Sequence, residues 1–178
     1  MKWTLITLAA VAAAVLAFFA PWAVYTGVTL AKPRHPVTVV LTGYELFEEA
    51  RVYAILNTGP LSDKMLPYAL YPLILASAVL AVLTRSDTLL KIAGIGGLLI
   101  LAYFYTSYDT LVALIISLKH GMLAAETKAS LAPGFYASAA SMLAIAILGF
   151  REVLAEEAWS RIWRGRRPPG YLLGYERP

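Results

Sequence analysis

The residues that could carry chemistry in this 178-residue chain are few and scattered. Glu45, Glu48 and Glu49 lie close together, and carboxylates at that spacing can bind a cation or exchange protons. On a helix they equally make a solvated face, with Glu48 and Arg51 placed for an i,i+3 ion pair. That plainer reading is adopted, with Glu45 kept as a candidate polar group. Asp109 falls in a long apolar run, where an acid buried in lipid would mark a proton or cation path. His35 and His120 are the only histidines, too few for a haem or metal site. The lack of cysteine excludes disulfides, Cys-ligated zinc and thiol catalysis. Because no His, Asp, Glu or Ser groups fall in register, the expectation is a protein that is not an enzyme and holds neither cofactor nor metal.

The elements that position these residues are apolar stretches at unequal spacing. Hydrophobic residues make up 60% of the chain and charged residues 15%, far from the balance of a soluble domain. Residues 3–23, 66–84, 88–118 and 133–152 each approach or exceed the ~20 apolar residues that cross a bilayer. Lipid cannot satisfy free backbone N–H and C=O groups, so these stretches must be helices. The expected fold is an all-α four-helix membrane bundle over 1–163, with a basic cytoplasmic tail over 164–178. The first stretch exceeds the usual apolar core of a signal peptide, and Phe18 or Pro21 would sit where a cleavage site wants a small residue. It is read as a retained span.

Charge orients the bundle. Lys2, Arg85, Lys91, Arg151, Arg161, Arg164, Arg166, Arg167 and Arg177 share one side, which the positive-inside rule makes cytoplasmic. Both termini are then inside, and the protein is a multi-pass protein of the cell membrane. The tail extends the fourth helix, with Trp159 and Trp163 on one face as interfacial anchors. Arg161, Arg164, Arg166 and Arg167 would meet anionic lipid at ~1 kcal/mol each. The partner for these charges is the lipid bilayer, with no nucleic acid expected.

The outside segment, 24–65, holds two β-branched runs, 24–30 and 37–42, separated by a loop containing Pro33 and Pro36. They predict an antiparallel β-ribbon on the helix ends, which needs helix tops, a third strand or a partner chain to cover it. Thr42 and Glu45 match a capping box, followed by a short amphipathic helix near 44–56; the alternative is a further strand over 51–56. Trp22, Tyr25, Tyr68, Tyr71, Tyr103, Tyr105, Tyr108, Phe135 and Tyr136 fit an outer aromatic belt. The third stretch would be about 48 Å long as a helix, against a hydrocarbon core of ~30 Å. Its outer part should therefore project, leaving Asp109 near the outer interface as a polar anchor and Leu111, Leu114, Ile115 and Leu118 under the ribbon. Gly94, Gly96 and Gly97 allow a close contact or a bend. Small residues four apart, at Ala9, Ala13 and Ala17, at Ala10 and Ala14, at Ala137 and Ser141, and at Ala140 and Ala144, predict packing faces. A single asparagine and no glutamine lean towards a thermophilic source.

This layout resembles the claudin and peripheral-myelin-protein type of tetraspan. That group has four spans, inside termini, a β-stranded first outside segment with a short helix, and an overhanging third helix. Trp22 and the Gly43-Tyr44 pair stand where the group has its tryptophan and Gly-Leu-Trp motif, whereas its paired cysteines are absent. The resemblance implies shared architecture. The function expected is a structural, adhesion or accessory subunit acting through its outer cap, as a homo-oligomer or within a larger membrane complex. The alternatives are an accessory subunit of a respiratory or quinone-linked complex, and a small oligomeric channel or transporter with Asp109 in its path.

Overall fold

Pro21 ends the first apolar run earlier than composition suggests. With no N–H, it cannot donate to the Ala17 carbonyl and so cannot continue a helix. That carbonyl instead accepts the Trp22 indole N–H at 2.8 Å and the Ala20 N–H at 3.2 Å. Helix α1 therefore spans Lys2–Phe19 rather than 3–23, and the chain turns directly into strand β1, Pro21–Val28. The computed structural model describes residues 2–28, 35–56, 60–120 and 128–151. Over these it is mostly helical with one small sheet.

β1 pairs antiparallel with β2, Pro36–Thr42, as the β-branched runs predict. The third strand that the ribbon needs is supplied by β3, Lys128–Leu131, giving the order β2-β1-β3. β3 lies far along the chain, in the connection between the last two helices, so two separate loops build one sheet.

Helix α2, Gly43–Leu56, starts at the capping box, and no strand forms over 51–56. The Thr42 N–H donates to Glu45 Oε2 at 2.8 Å, and the Glu45 N–H donates back to Thr42 Oγ1 at 3.1 Å. The second apolar stretch is broken: α3 is Pro60–Ala69 and α4 is Tyr71–Thr84. Pro72 removes the N–H that would reach Tyr68, and its ring crowds that turn, so the path bends at Leu70. Helix α5, Asp87–His120, has 34 residues and a length of about 51 Å. Helix α6 is Pro133–Gly149, where Phe150 leaves regular helical geometry and its N–H bonds the Ala146 and Ile147 carbonyls; the expected end at 152 lies outside the described residues.

Met65–Thr84 and Asp87–Ala113 are long and apolar enough to cross a membrane; α1 and α6 are apolar but shorter, at 18 and 17 residues. α1, α4, α5 and α6 pack as neighbours in that cyclic order. The glycine cluster makes the contacts close. A Cβ on Gly94 would collide with the Ala146 backbone, and one on Gly97 would lie 2.5 Å from Met142 Sδ. The alanine rows are only partly used. Ala14 and Ala17 are buried on α1, but Ala9 and Ala13 face outward. On α6 the buried stripe runs through Gly134, Ser138, Ser141, Ile145 and Gly149, leaving Ala137 and Ala140 exposed. Helices meet along the stripe that carries glycine and the larger residues Met142 and Ile145, since those fill the space between axes better than alanine alone.

Candidate functional site

The junction between sheet and helices is organised around Trp22. Between Pro21 and Ala23 the register with β2 slips by one residue, a bulge that leaves Trp22 as the extra residue. Strand alternation would turn Trp22 away from the face of Ala23's partner side chains, but a bulge re-aims one residue. Trp22 and Ala23 are accordingly both buried, Trp22 at 3% exposure. The indole meets Tyr71 edge-on at 5.2 Å, Phe104 at 5.7 Å and Phe135 at 6.0 Å, tying β1 to α4, α5 and α6. A Cβ on Gly43 would lie 2.6 Å from Trp22 Cε2, so glycine is required there for close approach. Trp22's carbonyl accepts the Ala132 N–H at 2.9 Å, which docks the start of α6 on β1.

Of the rings expected in an outer aromatic belt, Trp22, Tyr25, Tyr68, Tyr71 and Phe135 are buried inside the protein. They join a single core because the sheet lies over the helix ends and shields rings that composition alone places at a boundary. Tyr105 and Tyr136 remain exposed, at 59% and 56%, with Tyr105 stacked on Phe135, and Tyr108 is half-buried against Phe104. The Tyr68 hydroxyl bonds Ser107 Oγ at 2.7 Å. Ser107 already donates to the Tyr103 carbonyl at 2.7 Å, so Tyr68 is the donor. The Tyr71 and Ser138 hydroxyls are buried as neighbours without a well-formed hydrogen bond among the described residues.

Above this core the sheet has two unlike faces. Ala23, Tyr25 and Leu41 are buried beneath it. The other face carries Thr38, Val40, Thr26 and Ser130, all exposed, with Val40 paired to Val24 and Val24 to Ser130 across the three strands. β2 is an edge strand, and α2 follows it with the Arg51–Glu48 pair at 2.9 Å on its outer side. Glu45 serves as the cap of α2, its carboxylate accepting from both the Thr42 N–H and the Thr42 hydroxyl. Among the described residues no cluster of three or more His, Asp or Glu groups could hold a metal ion.

Asp109 is exposed on α5 beside the Tyr108 hydroxyl and does not enter the junction or the bundle centre. The C-terminal third of α5 buries Leu111, Val112, Ile115 and Ile116, and α5 touches β1 and β3. Of the residues expected under the ribbon, the Leu114 and Leu118 side chains lie outside the described ones. So do Trp159, Trp163, Arg161, Arg164, Arg166 and Arg167, together with the whole tail over 164–178. The junction's key members carried a signal in the sequence: Pro21 at the end of an apolar run, and a glycine directly after the β-branched run. No family model, curated protein or solved structure matches this chain.

Proposed function

We propose that this chain is a four-span membrane protein with cytoplasmic termini, acting without catalysis as a structural, adhesion or accessory subunit through its outer cap. The observation that carries the reading is the pairing of β3 with β1. The loop after α1 and the loop after α5 meet in one sheet, so both lie at the same end of the helices. Helices α1, α4, α5 and α6 that alternate in direction across a bilayer would put those two loops on one side and the 84–87 turn on the other. The two shorter helices support the same placement. Leu5, Leu8 and Leu16 on α1, and Leu143 and Ile147 on α6, are more than half exposed, as are Leu73, Leu83 and Leu99 on the longer helices. A continuous apolar surface of that kind is unstable in water and suited to lipid.

The outer face of the sheet, with Thr38, Val40 and Ser130, is the surface this reading assigns to a homo-oligomer or a larger complex. The natural lack of cysteine gives a clean topology test. Single substitutions Thr38→Cys and Ser130→Cys should react with a membrane-impermeant maleimide on intact cells, and Arg85→Cys only after permeabilisation. Labelling of all three from one side would refute four spans. For the subunit role, the protein from native membranes should run in mild detergent as an assembly that Thr38→Arg with Val40→Arg reduces to a monomer. A wild-type chain that runs alone as a monomer would overturn it.

A further inference from the structure

At the opposite end of the bundle from the sheet, helices α1, α4 and α5 and the residue just beyond α6 line a cleft of about 80 Å³. Thr4 and Thr7 line it from α1, Arg85 from the α4–α5 turn, Asp87 from the start of α5, and Arg151 from just beyond α6. Arg151 donates to Asp87 Oδ1 at 2.8 Å, and both groups are largely shielded. Arg85 is exposed, and among the described residues no carboxylate pairs with it. Among the described lining residues two guanidinium groups face one carboxylate, an excess of one positive charge.

The backbone at Arg85 makes this charge harder to regard as incidental. The Ser86 N–H bonds the Ala81 carbonyl at 3.0 Å and the Arg85 N–H bonds Val82 at 3.4 Å, which is the Schellman end of a helix. Its left-handed position, φ 53°, ordinarily belongs to glycine, and among the described residues Arg85 is the only non-glycine residue with a positive φ. This helix end fixes the Arg85 backbone beside the cleft that its side chain lines.

We propose that this cleft binds a phosphate oxyanion, held by Arg85 and Arg151, with Thr4 and Thr7 also lining it. A singly charged phosphodiester would bring the cleft to neutrality. Guanidinium groups are suited to it because their planar N–H pairs match phosphate oxygens. On the four-span reading the cleft sits at the height of inner-leaflet headgroups, so a glycerophospholipid is one source of this phosphate and free phosphate the other.

The test is native mass spectrometry of the purified full chain in mild detergent with added phosphatidylglycerol, with and without millimolar inorganic phosphate. The wild type should retain phosphatidylglycerol, and Arg85→Gln should weaken that retention about tenfold, the loss of one charge-assisted contact. Arg51→Gln, on the outer cap, should leave it unchanged. Retention that survives inorganic phosphate supports a lipid ligand, and retention abolished by it supports free phosphate in the same cleft. Equal retention by Arg85→Gln and the wild type overturns the site. Because binding is read in detergent, this outcome is independent of the maleimide labelling that tests the four spans.

Discussion

At the scale of single residues, Trp22 and Gly43 decide how the sheet meets the helices. The Trp22 indole N–H is buried and spent on the Ala17 carbonyl, which Pro21 leaves without its usual helical donor. Trp22→Phe removes that bond and leaves an atom-sized gap, so it should destabilise the protein by about 1–3 kcal/mol, read as a lowered thermal midpoint in detergent. Gly43→Ala should cost about 1–3 kcal/mol by overpacking, because its Cβ would press on both the indole and the Phe18 carbonyl oxygen, 2.7 Å away. The glutamates behave otherwise. Glu45 is legible from its spacing to Thr42 alone, because a capping box is a local device that needs no tertiary partner. Thr42→Ala should lower stability by about 1 kcal/mol and leave any ligand binding unaltered. Trp22 was legible as a residue at the end of a helix but not as the centre of a core. Its burial depends on a one-residue bulge that alternation does not reveal.

At the scale of elements, prolines and glycines account for most boundaries. Pro21 stops α1, Pro72 bends the second apolar stretch at Leu70, and Gly43 opens α2. These effects are local and follow from a missing N–H or a missing Cβ. Helix faces are different. The alanine rows on α1 and α6 were equally good candidates for packing, yet only Ala14, Ala17 and Ser141 turn inward among the fully buried members. Which row is used depends on where Gly94 and Gly97 let α6 approach α5, a choice made between helices and not within one. The α4–α5 turn carries a stability prediction. Arg85→Gly relieves the left-handed conformation and should raise the thermal midpoint by an amount worth about 1 kcal/mol. It would at the same time remove a cation from the cleft, so a gain in stability with a loss of phosphate retention would separate fold from function at one position.

At the scale of the whole molecule, the sheet is the one element assembled from distant parts of the chain. Val24 and Ser130 are direct cross-strand partners although 106 residues apart. Val24→Cys with Ser130→Cys should form a disulfide on mild oxidation, seen as two fragments held together after cleavage between them, since paired strand positions bring Cβ atoms within bonding reach. The sequence by itself determined the apolar runs, the β-branched runs, the cap of α2 and the uneven distribution of charge, all of which arise from composition and near-neighbour sterics. It also disclosed that a two-stranded ribbon needed covering. Only the tertiary structure decided what covers it: β3 on one edge, and beneath it the rings of Trp22, Tyr71, Phe104 and Phe135. The same is true of the cleft that brings Arg151 beside Arg85 and Asp87, which lie more than 60 residues earlier in the chain. Strand pairing, ring packing and charge clustering are contacts between segments far apart in sequence, and local pattern holds no record of which distant segment comes to lie alongside.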